Sequence, residues 1–322
     1  MRRAVSVVVA THGHCFDGLS SAVLFTHLYR AVRGPATFRY RACGYGIGQN
    51  APEERLLDGD ENAILDFRFS PSEKLTWYFD HHRTAFASDT DAGVFEERSQ
   101  KRPFFFDAAY SSCTKLIRDV AKANYDVEAK ELSGLVEWAD IVDSARFPSA
   151  EQALSRSDPV KRLVSVVEHY GDDKFISRVV PDLLERPLLE VATSRYVEER
   201  YSPLGQKHEG FIQKVRAHGK QRGRVVYVDL TGGVLDLVSK FVTYALFPDS
   251  VYSVIVGQLR NGAKISVGYN PWCGKPLDTD ISAICARHGG GGHPVVGGIS
   301  FKTTELDRAR AVAQEIAAEL SG

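Results

Sequence analysis

Short apolar runs that stop at an acid or a histidine restrict this chain's fold more than any other feature. Val5–Ala10 runs into Thr11-His12-Gly13-His14-Cys15-Phe16-Asp17-Gly18. Asn62–Phe67 carries Asp66 near its end, and Leu75–Phe79 runs directly into Asp80-His81-His82. Thr37–Cys43 is a fourth strand candidate, closed by Gly44, Gly46 and Gly48. Between and after these runs the apolar spacing turns helical, over Leu19–Val32, Ser111–Asn124 and Ala129–Asp143. Strands that alternate with helices predict an α/β fold with a largely parallel sheet, covered on both faces.

The chain changes character twice. Residues 150–222 show helical periodicity with many charges, and Pro159, Pro181, Pro187 and Pro203 are expected to break them into several helices. The polar stretch Gly219-Lys220-Gln221-Arg222-Gly223 reads as a domain boundary. Beyond it, Val225–Leu230, Ser253–Leu259, Lys264–Tyr269 and Gly298–Lys302 are expected strands. Val234–Ala245, Asp280–Arg287 and Glu305–Leu320 are expected helices. A chain of 322 residues accommodates two domains of roughly 100–200 residues each.

Charge and cysteine usage exclude several classes. Forty basic against 41 acidic residues give a net charge of −1, which argues against coating of long nucleic acids. No apolar run reaches the roughly 18 residues of a membrane-spanning helix. The N-terminal Met-Arg-Arg and its apolar run resemble a signal peptide only superficially, because the run is short and valine-rich and fits a buried strand better. Five cysteines, Cys15, Cys43, Cys113, Cys273 and Cys285, form no CxxC pair. Reduced thiols and a cytoplasmic location are therefore expected.

In an open parallel sheet, ligands bind outside the carboxyl ends of the strands. His12, Asp17, Asp66 and the Asp80-His81-His82 triplet are all delivered to such ends, and the apolar helix Glu137–Asp143 adds carboxylates. Mixed oxygen and imidazole donors suit Mn²⁺ or Fe²⁺ better than a closed thiolate zinc site. Neighbouring side chains of an extended segment point to opposite sides, so one of His81 and His82 ligates while the other meets substrate or donates a proton. Late in the chain, His288 is followed by the four glycines 289–292 and by His293-Pro294. The order helix, glycine loop, strand is the reverse of a dinucleotide fingerprint, and the loop's N–H groups are candidates for gripping an anion.

Together, Asp80-His81-His82, the His12…Asp17-Gly18 element, Asp66, Asp140 and the glycine run before His293-Pro294 resemble the DHH phosphoesterase superfamily. The C-terminal part is similar to its DHHA1 subfamily, which includes oligoribonuclease/PAP phosphatase (nanoRNase) and cyclic-dinucleotide phosphodiesterase members. The resemblance covers residues 1–143 and about 224–302. It implies two lobes: an N-terminal parallel-sheet DHH domain over 1–149 and a smaller C-terminal α/β DHHA1-like substrate-binding domain over 224–322. A helical connector over 150–223 would join them.

The same resemblance implies a hydrolase that uses one or two Mn²⁺ ions, with Mg²⁺ or Co²⁺ as alternatives, on short oligonucleotides or small nucleotides. Carried over position by position, His12 resembles a ligand of the first metal and Asp66 the bridging, catalytic carboxylate. Asp17, His81 and Asp140 resemble ligands of the second metal. Asp80 would orient His81 from behind, and His82 would face the substrate phosphate. Gly290, Gly291, Gly292 and His293 would grip the far end of the substrate, with Arg83, Arg260, Lys264, Lys275 or Arg287 adding positive charge. Tyr45, Phe104–Phe106, Tyr269 and Trp272 are candidates for base stacking.

Two positions depart from the family pattern. Cys15 stands where the family's first aspartate is usual, in an H-x-x-C-x-D-G form, which leaves Cys15 or His14 to replace that carboxylate. Ser266–Trp272 lacks the arginine common before the glycine loop. The alternatives to a nucleotide phosphoesterase are hydrolysis of pyrophosphate or polyphosphate on the same site, or a non-catalytic nucleotide sensor. Helices 150–222 either link the lobes or form a homodimer contact.

Overall fold

The structure, a computed structural model, describes residues 4–44, 52–235 and 241–322. The expected loop residues Tyr45, Gly46 and Gly48, and residues 236–240 of the expected helix Val234–Ala245, lie outside these. The chain divides into two compact units: residues 1–146 with 156–201, and residues 147–155 with 202–322. The span expected as a separate connector, 150–223, is thus shared between the units.

The first unit is a βα alternation. In chain order its elements are β1 (Ser6–His12), α1 (Phe16–Arg33), β2 (Thr37–Cys43), β3 (Glu61–Leu65), β4 (Trp77–Asp80), α2 (Asp89–Ser99), β5 (Phe104–Phe106), α3 (Cys113–Tyr125) and α4 (Ser133–Asp143). The five strands form one sheet in the order β2-β1-β3-β4-β5, and every pair is parallel. The valines of β1 are fully buried, as the uninterrupted apolar run requires of a strand covered on both faces. Helix α1 is buried along most of its length and packs against α3 and α4. Aromatic residues fill one side of the sheet, where Phe69, Tyr78, Phe95 and Phe104 meet edge to face.

Strand order places the functional end of this sheet. From β1 the chain goes to β2 on one side and then to β3 on the other, so a switch point lies between β1 and β3. Thr11 pairs with Leu65, and Leu65 with Phe79. The next residue of each chain segment is His12, Asp66 and Asp80, so these three stand in a row across the carboxyl edge. Gly18 allows α1 to start there. A Cβ on it would sit 2.1 Å from the carbonyl oxygen of His12, and the Thr11 hydroxyl donates to the Gly18 carbonyl at 2.7 Å.

Helices α5 (Ala150–Leu154), α6 (Pro159–Tyr170), α7 (Asp173–Glu185), α8 (Leu188–Ala192) and α9 (Arg195–His218) follow. Pro159 opens α6 and Pro187 precedes α8, as expected, but Pro181 and Pro203 lie inside α7 and α9. Helix α6 and helix α7 pack on α1, and α7 also covers β2, so these helices complete the first unit.

The second unit holds β6 (Gly219–Arg222), β7 (Val225–Val234), α10 (Phe241–Leu246), β8 (Tyr252–Leu259), β9 (Gly262–Tyr269), α11 (Ile281–Arg287), β10 (Gly291–His293), β11 (Val296–Phe301) and α12 (Leu306–Ser321). Its sheet runs β10-β11-β9-β8-β7-β6, with β7 and β8 parallel and the other pairs antiparallel. Alternate residues of β7 face two cores. Val225 joins the core that includes Ala309, Ala313 and Ile316 of α12, whereas Val226 and Val228 pack with Phe211 and Val215 of α9. The expected boundary 219–223 is therefore corrected. Its Gly-Lys-Gln-Arg is an edge strand, whose exposed charges suit an unpaired edge, and the units divide earlier, at Tyr201–Ser202. Among the described residues no helix is long and apolar enough to cross a membrane.

The role of Gly18 gives a sign test. Glycine-to-alanine exchange inside a helix normally stabilises by about 0.5–1 kcal/mol. Gly210→Ala, on an exposed position of α9 with open space around it, should show that gain in denaturant unfolding. Gly18→Ala should instead destabilise by about 1–3 kcal/mol. A neutral or stabilising Gly18→Ala contradicts the close approach of α1 to β1.

Candidate metal centre

Asp66 is the centre of the site. It follows β3 with φ +54°, the left-handed region that an aspartate tolerates better than most residues. Its N–H donates to the Phe79 carbonyl at 2.9 Å, which fixes that turn, and its side chain is 1% exposed. Neither carboxylate oxygen has a hydrogen-bond partner, although both are buried. Oδ2 lies 3.7 Å from His12 Nδ1. Oδ1 lies 3.5 Å from His81 Nε2 and 3.7 Å from His82 Nδ1. The two oxygens thus face different donor groups.

Each neighbour is held by an identifiable contact. Asp17 sits in the first turn of α1 and caps α3, accepting the Cys113 N–H on Oδ2 at 2.6 Å and the Thr114 N–H on Oδ1 at 3.0 Å. A carboxylate oxygen keeps a second lone pair after accepting one N–H. His81 Nδ1 meets the Tyr110 carbonyl at 3.0 Å. That contact places the proton on Nδ1 and turns the Nε2 lone pair inward. Nε2 is buried without a hydrogen-bond partner, 3.7 Å from Asp17 Oδ2 and 3.4 Å from Asp143 Oδ2.

Asp140 is a correction. Its carboxylate accepts from Ser111, lies 2.5 Å from Arg146 Nη2 and 3.5 Å from Lys115 Nζ. These partners hold it out of the donor cluster. Asp143, one turn further along α4, reaches His81 instead. Positions three apart share a helix face, and of the two aspartates in the Glu137–Asp143 segment it is Asp143 that joins the donor atoms of Asp17 and His81. Asp80 is a second correction. It orients His82 rather than His81: His82 Nδ1 lies 2.7 Å from Asp80 Oδ1, and the Tyr78 hydroxyl donates to Oδ2 at 3.1 Å. His82 remains 35% exposed, the more open of the two rings.

In the first motif, Cys15 and not His14 enters the cluster. Cys15 Sγ, His12 and Asp66 offer donor atoms that lie within 4.8 Å of one another. His14 has φ +56° and is turned away, its N–H on the Gly171 carbonyl at 3.1 Å and its Nδ1 3.2 Å from the Glu168 carbonyl.

Electrostatics bear on what the cluster holds. Burial, followed by the charges of Asp66 and Asp143, pushes Asp17 well above the usual carboxylate range. Burial and then the Asp66 charge push Asp143 up. Burial alone would raise Asp66 too, but His12 and His81 beside it more than reverse that. Burial lowers His81, and the surrounding carboxylates of Asp66, Asp17 and Asp143 outweigh it and carry it upward. Three crowded carboxylates, one of them with no hydrogen-bond donor on either oxygen, are what a divalent cation relieves. The donor set therefore fits one, with Asp66 able to offer one oxygen to each of two positions.

The remaining expected site residues have other surroundings. Arg83 is exposed just after His82. Gly291–His293 is not a free loop but the edge strand β10, paired with β11. The N–H groups of Gly289 and Gly290 cap the end of α11 on the carbonyls of Ala286 and Cys285. Gly292 has φ +153° and would clash with Val296 if it carried a side chain, so local packing accounts for it. His293 is exposed on that strand. Trp272 donates its indole N–H to Phe147 and packs on Phe241. The Tyr269 hydroxyl donates to the Lys275 carbonyl. Arg287 pairs with Glu319 at 2.5 Å. These contacts supply structural reasons for residues expected to touch substrate.

No protein-family model matches this chain, and no curated protein matches it. Solved structures do share its fold. The pGpG-specific phosphodiesterase PggH from Vibrio cholerae superposes with a TM-score of 0.68 at 18% identity, over 98% of this chain and 99% of that one. The DHH domain of a protein described as belonging to a family of ribosomal proteins gives 0.62 at 16% identity, over 98% and 87% of the two chains. RecJ from Thermus thermophilus, solved in complex with Mn²⁺, gives 0.57 at 14% identity, over 99% of this chain but 53% of RecJ. This chain thus spans about half the length of that RecJ. These likenesses establish the fold, which is that of the DHH-domain proteins.

Two aspartates on one helix separate the site from its surroundings. Asp143→Asn should weaken Mn²⁺ binding by about tenfold to a hundredfold or more, read by calorimetric titration. Asp140→Asn should leave binding within a few-fold and lower the melting temperature, because it unpairs Arg146 and Lys115. The reverse ranking contradicts the assignment of Asp143.

Proposed function

We propose, from the DHH fold and the donor set at its sheet edge, that this chain is a metal-dependent phosphoesterase acting on short oligonucleotides or small nucleotides. The observation that carries the reading is Asp66: a buried carboxylate in a left-handed turn, with no hydrogen-bond donor on either oxygen and a histidine facing each. His12, Cys15 and Asp66 would hold one divalent cation, and Asp17, Asp66, His81 and Asp143 another. Such a pair supplies charge stabilisation for attacking and leaving oxygens in an in-line displacement at phosphorus.

The chain's own residues do the remainder. The Tyr110 carbonyl locks the His81 tautomer, so its Nε2 lone pair stays inward. Asp80, itself fixed by Tyr78 and fully buried, holds the His82 ring and favours its protonated form. A protonated, partly exposed His82 beside Asp66 can bind a phosphate oxygen or deliver a proton to the leaving oxygen. The near-neutral net charge suits small substrates better than long polyanions. Mn²⁺ as the working ion rests on the mixed oxygen and imidazole donors. A non-catalytic sensor is disfavoured, since Asp66, His81 and His82 are all held in working orientations. Polyphosphate would use the same donors and belongs in the assay.

A panel of pGpG, pApA, 3′-phosphoadenosine 5′-phosphate, a cyclic dinucleotide and polyphosphate, with Mn²⁺ or Mg²⁺, tests the reading. Metal-dependent turnover of a nucleotide substrate is expected, with loss of several orders of magnitude in D66N. D80N should lower turnover by about 10–100-fold through the freed His82 ring. Wild-type rates in D66N would overturn the proposal.

A further inference from the structure

The two faces of Asp66 are chemically unequal. On the Oδ1 side stand His81 Nε2 and, around it, the carboxylates of Asp17 and Asp143 at 3.7 and 3.4 Å. Facing Oδ2 is His12 Nδ1 at 3.7 Å, and Cys15 Sγ joins His12 and Asp66 in a set of donor atoms within 4.8 Å of one another. One set is imidazole with hard oxygen donors. The other contains a thiol.

Three observations aim the thiol at a cation. Cys15 is the N-cap residue of the 18-residue helix α1, with extended backbone, φ −126° and ψ 133°. That position favours Ser, Asp or Asn for their capping oxygen, whereas here it holds a thiol that sits among the charges of Asp66, Asp17 and Asp143. The left-handed turn at His14, pinned to Glu168 and Gly171, sets the direction in which the next residue leaves. Opposite the sulfur lies Asp66, 1% exposed, with Oδ2 lacking any hydrogen-bond partner. A tetrahedral site with sulfur at about 2.3 Å and nitrogen at about 2.0–2.1 Å places donors roughly 3.4–3.6 Å apart. The separation of 3.7 Å between His12 and Asp66, and of no more than 4.8 Å across the set, lies close to that.

Resting on the metal site of the reading above, we infer that this chain carries two cation positions of different selectivity. His12, Cys15 and Asp66 form a soft position that takes a thiophilic divalent ion such as Zn²⁺, Co²⁺ or Fe²⁺, with Cys15 bound as the thiolate and its proton released to solvent. Asp17, Asp66, His81 and Asp143 form a hard position that takes Mn²⁺ or Mg²⁺. The active form is then a mixed-metal centre, and saturation with Mg²⁺ alone leaves the soft position poorly filled.

Anaerobic titration of chelator-treated full-length protein with Co²⁺ tests this without reference to turnover. Wild type should develop a sulfur-to-cobalt charge-transfer band in the near ultraviolet. Alkylation of Cys15 by iodoacetamide, followed by peptide mass spectrometry, should slow once Co²⁺ is bound, while Cys273, the other partly exposed thiol, serves as internal control. Cys15→Ser keeps a good helix N-cap and should lose the charge-transfer band while retaining the cobalt ligand-field bands of the hard position. Cys15→Asp should bind two ions but lower the preference for Co²⁺ over Mg²⁺ by roughly tenfold or more. A charge-transfer band that persists in Cys15→Ser, or Cys15 alkylation unaffected by saturating Co²⁺, would overturn the inference. These readouts are independent of the substrate panel. Silence on every substrate with the cobalt signature present would refute the phosphoesterase reading alone. Turnover without the signature would refute the soft position alone.

Discussion

Burying a carboxylate with nothing to donate to it costs several kcal/mol unless a cation meets it, and the first unit is arranged around one such group. Asp66 lies at the switch point of the sheet, in a left-handed turn held by the Phe79 carbonyl. Strand register sets His12 and Asp80 on either side of it. Asp17 arrives because Gly18 lets α1 begin against the end of β1, and two N–H groups at the α3 N-terminus hold its carboxylate in place. Backbone strain and unsatisfied buried oxygens at one residue are expected where a fold has been shaped for binding rather than for stability.

The histidines divide the work through their supports. A backbone carbonyl behind His81 keeps its Nε2 turned inward toward Asp66, whereas a carboxylate behind the more open His82 favours that ring's protonated form. On the proposed function, the motif Asp80-His81-His82 would supply one ring for a metal and one for an anion, and its acid holds the second ring.

Much of this is legible in the sequence. Apolar runs that end in Asp or His place β1, β3 and β4, and with them His12, Asp66 and the two histidines. What escapes is decided by partners distant in sequence. Asp140 and Asp143 share a face of α4, and only the return of Arg146 and the approach of Lys115 show which is occupied. Helix α2 has little apolar pattern beyond Val94 and Phe95 and leaves no clear signal, nor does the three-residue β5 beside it. The glycines before His293 resemble an anion loop in sequence, yet they serve a helix end and a tight hairpin, because Gly290 and Gly292 would clash with neighbouring strand β11 if they bore side chains. Pro181 and Pro203 suggest breaks that α7 and α9 absorb.

The central claim is that Asp66 bridges two cation positions, and anomalous diffraction from Mn²⁺-soaked crystals addresses it most directly. The account predicts two anomalous peaks about 3.5–4 Å apart, one on each side of Asp66, the peak near Asp17, His81 and Asp143 being the fuller. A single peak away from Asp66, or one at Asp140, would contradict it.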